Sequence, residues 1–344
     1  MSAPSIEFQG SRLFATWLAS TGASLALTSY QIGKLFLIGT DEAGQVKIFE
    51  RTFDRTMALG VGPEQFWLSS RYQIWRFQNF LDPGQQHEDH DAVFVPVTGH
   101  TTGDIDVHDI HLDGEGAPLF VATRFNCLAT LSATASFRPI WTPPFIDRVA
   151  AEDRCHLNGL AVQDGTAAYV TCVGKSNISD GWRDHRAGGG LVIHVPSNEI
   201  VAQGMSMPHS PRLYRGALWM LQTGTGEFGR LDPQTGLFEP LCFVPGFARG
   251  LAFIGNYAVI GMSKPRENRT FNGLKLNERL EAEGAAPKCG LSIVNLETGD
   301  VEHQFLIEGA MQEAYDVQVL PGVRRPYMLG FKSEEIQFQI RLED

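Results

Sequence analysis

The chain has 344 residues, 43% hydrophobic and 19% charged, with 36 glycines and 18 prolines spread along its length; this composition excludes a disordered or collagen-like protein and fits a soluble folded body. A formal net charge of −11 with no basic run disfavours nucleic acid and anionic membrane surfaces as partners. Five cysteines, never in a C-x-x-C pair, and an N-terminal MSAPSIEFQG without a leader pattern lead us to expect a cytoplasmic protein.

In chain order, "SRLFATWLAST" near the start has helical spacing, and two stretches of short apolar strands follow, "SLALTSYQIGKLFLIGTDEAGQVKIFERTF" and "TMALGVGPEQFWLSSRYQIWRFQNF". From about residue 101 a degenerate repeat emerges. Each copy is a short apolar segment, a Gly- or Asp-containing turn, then an apolar strand with an aromatic. The copies read "HDIHLDGEGAPLFVAT", "HLNGLAVQDGTAAYVT", "PHSPRLYRGALWMLQ", "ARGLAFIGNYAVIG" and "YDVQVLPGVRRPYMLGF". The D/E-x-x-T-G turns "LDPQTG" and "NLETGD" extend two copies into four-stranded meanders. Counted with the two earlier stretches, the pattern predicts one all-β propeller over residues 1–344, with seven four-stranded antiparallel blades or, alternatively, six. Pairing between N- and C-terminal strands should close it. An insertion at about 264–288, with the helical "LKLNERLEAEG", falls in the sixth unit and should cover one end of the axis.

Several strings, "TGDIDVHDI", "TRFNCLATL", "WTPPFI", "EDRCHLNGLA", "GGGLVIHVPSNEIVAQGMSMPHSPRLY", "PGFARGLAF" and "LPGVRRP", together resemble a bacterial family of uncharacterised proteins. The resemblance runs from about residue 25 to 330. It implies a β-propeller, sometimes found in company with tetratricopeptide-repeat or sulfotransferase proteins, and implies no chemistry.

Chemistry is sought where the innermost strands begin, because those positions converge on the axis. The segment "TTGDIDVHDIHLDG" crowds five ionisable side chains into residues 104–111. Aligned with the other copies it yields His108, His156 and His209 at nearly the same repeat position. Three imidazoles there would suit Fe, Zn, Cu or Ni with an open coordination position; the plainer alternative is that they close the channel through hydrogen bonds. Asp316 or Glu313 would support the metal, and Asn158 stands beside His156 as a further catalytic candidate.

Arg249 and Arg124 are candidates for gripping an anionic group, with pairing to neighbouring carboxylates as the alternative. In "DGWRDHRAGGG", Trp182 and Arg183 would form a pocket wall. "GTGEFG" satisfies G-x-G-x-x-G, but a turn follows where a helix is needed, so it reads as a hairpin. Cys155 reads as a core residue.

Two functions follow. One is a metal-dependent enzyme acting on a small polar or anionic substrate in the axial pocket, with hydrolase, lyase and oxygenase chemistry open. The alternative is a non-catalytic propeller that binds a protein or glycan through its rim.

Overall fold

Each apolar segment pairs with the next across a short turn, the local outcome that hairpin chemistry favours. The computed structural model describes residues 5–265 and 273–342, and in it these hairpins build six sheets. The second blade begins with Leu59–Gly62, the third with Val107–Leu112, the fourth with Leu157–Gln163, the fifth with Pro208–Tyr214 and the sixth with Phe247–Ile254. The first blade is assembled from both ends of the chain. Ser24–Ser29, Lys34–Thr40 and Val46–Thr52 supply its outer strands, and Val317–Leu320 supplies the innermost one, with Leu25 opposite Val319. The innermost strands touch one another in a closed ring.

The blades therefore number six and not seven. The opening stretch and the last repeat copy each lack strands that the other provides, so counting both as units counts one blade twice. The expected closure by N- and C-terminal strands is what joins them.

Side chains at the axis bind neighbouring blades together. Thr123 donates to the carbonyl of Leu157 at 2.6 Å, Thr223 to that of Ala248 at 2.6 Å and Ser263 to that of Ala314 at 2.9 Å, while Thr28 reaches that of Met57. In return, Asp109 accepts from the Leu160 amide at 3.0 Å, Ser210 from Gly250 at 3.1 Å and Asp316 from Leu59 at 2.8 Å. These bonds satisfy backbone groups that would otherwise be buried without partners. Farther out, apolar wedges fill the gaps between blades; Leu119 and Leu128 pack with Leu160, Val170 and Ile193 between the third and fourth.

Both predicted helices form. Phe14–Thr21 ends at Gly22, whose φ of 68° suits glycine; it buries Phe14, Trp17 and Leu18 against the first and sixth blades, with Phe14 stacked on Phe305 at 5.0 Å. Lys275–Ala282 lies in the expected insertion, of which residues 266–272 fall outside the described segments. Its Leu276 and Leu280 pack with Trp182, Met207 and Phe247. This helix thus packs beside Trp182, at the channel end that holds the polar residues described next. No helix among the described residues is long and apolar enough to cross a membrane.

Candidate active site at one mouth of the channel

The hydroxyl bonds between blades give an internal ruler. The residues that follow the bonded carbonyls of Met57, Leu157, Ala248 and Ala314 are Ala58, Asn158, Arg249 and Tyr315. The fourth-blade equivalent of Arg249 and Tyr315 is thus Asn158, and His156 lies two residues ahead of it, before the strand begins. Its φ of 50° turns the chain at this point, and a register shift follows between Leu157 and Gly159. This corrects the expected alignment of the three histidines.

His156 nevertheless meets His108, with ring centroids 4.8 Å apart and ring planes near perpendicular. The His156 Nδ1 lies 3.0 Å from the carboxylate of Asp153, which also accepts from the Trp182 indole N–H at 2.9 Å. Burial works against the Asp153 charge, but the imidazole of His156 and these hydrogen bonds outweigh it and hold the carboxyl below its ordinary value. Trp182 also stacks on His156 at 4.2 Å and carries the Arg183 guanidinium on its face at 4.4 Å.

His108 is 8% exposed, and its Nδ1 faces the carbonyl of Asp106 at 3.0 Å. Burial, and then the nearby His156 and Arg249, push its pKa down to about 4 against the pull of Asp106. Arg249 is buried with its guanidinium 5.5 Å from the Tyr315 ring. Burial works against its charge, and Tyr30, Tyr315 and the fully buried Glu313 hold it ionised.

Tyr30, Arg55, Met57, Asp106, His108, Asp153, His156, Trp182, Arg183, Arg249 and Tyr315 together line a cavity of about 200 Å³. Of these, Arg55, Asp106, Asp153 and His156 all hold φ between 41° and 58°. Left-handed backbone at residues other than glycine costs energy, and its concentration around one cavity marks a place the fold constrains.

His209 behaves differently. Its Nδ1 faces the carbonyl of Met207 at 2.9 Å and its Nε2 the amide nitrogen of Asn158 at 3.3 Å, while Asn158 accepts from Thr171 at 2.6 Å. A carbonyl only accepts, so Nδ1 carries the hydrogen and Nε2 receives the Asn158 amide. Both nitrogens are committed. Burial and then the charge of Arg249 hold its pKa well below the ordinary value. Among the described residues, no group of three or more His, Cys, Asp or Glu side chains is arranged to hold a metal. The three-histidine set does not fit the Fe, Zn, Cu or Ni site expected from the repeats, because one member is spent on Asn158 and a guanidinium shares the mouth.

The other candidates are structural neighbours. Asp316 sits deeper in the channel; burial and then the neighbouring charge of Asp109 raise its pKa to about 7 against Arg212. Beside it Arg212 forms a two-pronged pair with Asp109, at 2.8 and 3.1 Å, and plugs the axis. Arg124 is held 3.3 Å from Asp104 and lies outside the cavity lining. The sequence reading missed Arg55, which clamps Asp104 at 3.0 Å and also meets Asp106, and missed Tyr30. Both lie in turns between strands, where the repeat pattern gives no register. "QQHEDHD" forms a surface turn in which the His87 and His90 backbones pair.

Fold and site define a six-bladed β-propeller with an ionisable pocket at one mouth of its channel. The chain belongs to the family described as a domain of unknown function, DUF4915, which it matches over residues 12–329. Among solved structures it is similar to a chain of the nidogen/laminin complex, with 12% identity, a TM-score of 0.55, and coverage of 87% of this chain and 99% of that one. It is also similar to virginiamycin B lyase from Staphylococcus aureus with quinupristin (11% identity, TM-score 0.42, 88% and 99% covered) and to TolB from Acinetobacter baumannii (14%, 0.47, 87% and 66%). Likeness at this level concerns the fold alone. No curated protein matches the sequence.

Proposed function

We propose that the protein is an enzyme that transfers a proton on a small polar or anionic molecule held in the axial pocket, with His156 as general base, Asp153 orienting it and Arg249 gripping the anionic group. The observation that carries this reading is the 3.0 Å contact between His156 Nδ1 and an ionised carboxylate. Such a partner fixes the imidazole with hydrogen on Nδ1 and leaves the Nε2 lone pair for the substrate, and it stabilises the imidazolium formed when a proton is taken. Trp182 packs one face of the base and shares its carboxylate. Lyase and hydrolase chemistry both begin with such a step. The expected roles of Asn158, Asp316 and Glu313 become positional: Asn158 closes off His209, Asp316 joins the first and second blades, and Glu313 supports Arg249.

Metabolite profiling tests this without a chosen substrate. Purified protein and the His156→Gln variant are incubated with fractionated small-metabolite pools and followed by mass spectrometry. A component consumed by the wild type and untouched by the variant is expected. A compound retained unchanged by both would make the pocket a binding site and sink the enzyme reading.

A further inference from the structure

We propose that the mouth of the channel opposite His156 is a second binding site, and that it takes an uncharged, largely apolar small molecule; the inference does not rest on the acid–base reading above. Strand direction separates the two mouths. His108, Arg249 and Tyr315 stand at or just before the starts of innermost strands and line the polar cavity. The ends of the same three strands, and of Leu59–Gly62 and Pro208–Tyr214, bring Val61, His111, Leu213, Phe253 and Val319 to a cavity of about 710 Å³. Arg212, held in the plug with Asp109, lines this wider cavity and is absent from the polar one.

The walls are oily. Val61, Phe94, Leu213, Phe253, Val319 and Val323 supply apolar surface, and Phe253 lies flat on Tyr214 with ring centroids 4.4 Å apart and planes 5° from parallel. The polar side chains between them are turned into the protein. Tyr214 donates to the Gly255 carbonyl at 2.7 Å, Gln318 donates to that of Leu59 at 3.3 Å, and Asn79 accepts from the amides of Val93 at 2.9 Å and Leu81 at 3.3 Å. A concave, mainly apolar surface of this size is what small-molecule sites share, and water held against it is released with a gain in free energy when a ligand takes its place.

Charge decides the class of ligand. An anion needs a cationic group with hydrogens to spare. Arg212 gives its hydrogens to both oxygens of Asp109 and to the carbonyls of Leu160, Pro211 and Leu251. His111 is the other basic side chain of the lining; its Nε2 is buried 3.6 Å from Asp109, and burial, then the charge of Arg212, push its pKa down to about 4 against the pull of that carboxylate. An anion would also meet the exposed Glu64 at the rim. A cation gains little more, because Asp109 is already matched by Arg212 and Glu64 is solvated. An uncharged apolar molecule is the occupant that buries no unpaired charge.

The test compares two fluorescent probes built on one ring system, uncharged N-phenyl-1-naphthylamine and its sulfonate, 1-anilinonaphthalene-8-sulfonate. We expect the first to bind saturably and the sulfonate to bind at least about tenfold more weakly. In wild-type protein the methyl resonances of Val61, Leu213, Val319 and Val323 should move as the uncharged probe is added, while the ring resonances of His108 and His156 stay in place. Val319→Asp puts a charge in the wall and should weaken binding about tenfold or more; should it fail to fold, Val323→Asp, beyond the strand, makes the same comparison. His156→Gln should bind the probe as the wild type does. Sulfonate binding as tight as that of the uncharged probe, shifts confined to the polar mouth, unchanged binding by the folded Asp variant, or no saturable binding up to the solubility limit of the probe would each overturn the inference. A concentration-dependent dimer in sedimentation that Val323→Asp dissolves would assign the mouth to a second copy of this chain and overturn it as well.

Discussion

The carboxylate of Asp153 lies 3.0 Å from Nδ1 of His156, and the two residues hold left-handed φ angles of 41° and 50° within one tight turn. Replacing Asp153 by Asn puts an amide opposite Nδ1 that can present its N–H and select the wrong tautomer. We expect kcat to fall by about 10²-fold or more with KM little changed. Steady-state kinetics on the substrate found by metabolite profiling measure both.

Stability should depend on pH in a way that separates two kinds of buried group. His108 and His111 are each held near a pKa of about 4 and His209 well below its ordinary value, all mainly by burial. Between pH 6.5 and 4 the unfolded chain protonates these rings while the folded one resists, so stability is full above pH 6.5 and is lost as pH falls through this window. His108 alone accounts for about 3 kcal/mol. Asp316 acts in the opposite sense: its raised pKa of about 7 means that stability falls as pH rises from 3.8 toward 7. Urea unfolding across this range should show a net loss on acidification, and Asp316→Asn, which removes the opposing group, should steepen it.

The buried pair in the plug makes a separate prediction. Arg212 donates to Asp109 and to the carbonyls of Leu160, Pro211 and Leu251. Arg212→Met strands the Asp109 charge and should cost about 3–5 kcal/mol by denaturant unfolding. Arg212→Met combined with Asp109→Leu should recover part of that loss, because neither charge then remains.

The hydroxyls between blades should act independently. Thr123→Val and Thr223→Val each leave a carbonyl of the next blade unserved, at about 1–2 kcal/mol per site. Their bonds join different pairs of blades, so the double variant should lose the sum of the two in the same unfolding measurement.

The propeller was legible because its strands alternate and its turns carry D/E-x-x-T-G, and His108 and Arg249 were legible because they open innermost strands. What escaped was set by backbone geometry. The left-handed turn at Asp153 and the register shift after Leu157 move His156 off the repeat, so the sequence alignment grouped it with His209. That grouping suggested a metal, yet His209 turns to Asn158 and His156 to Asp153. A Thr or Ser stands at or next to the end of the second strand of each blade, and at Thr28, Thr123, Thr223 and Ser263 it makes the bond to the next blade; aligning on it matches Asn158, not His156, to the other ring positions. Arg55 and Tyr30 come from connecting turns and reach the site only because the blades converge.

The first blade, shared between the two ends of the chain, sets a condition on when the pocket exists. Tyr30 and Tyr315 are both walls of the cavity, with rings 5.4 Å apart, yet they enter the growing polypeptide far apart in time. Until the strand Val317–Leu320 has left the ribosome, the barrel of blades stays open at the seam and the cavity lacks a side. A ligand of this pocket therefore meets its full enclosure only once that strand is in place, and a chain stopped before this strand would carry most of the chemical groups without the enclosure that tunes them.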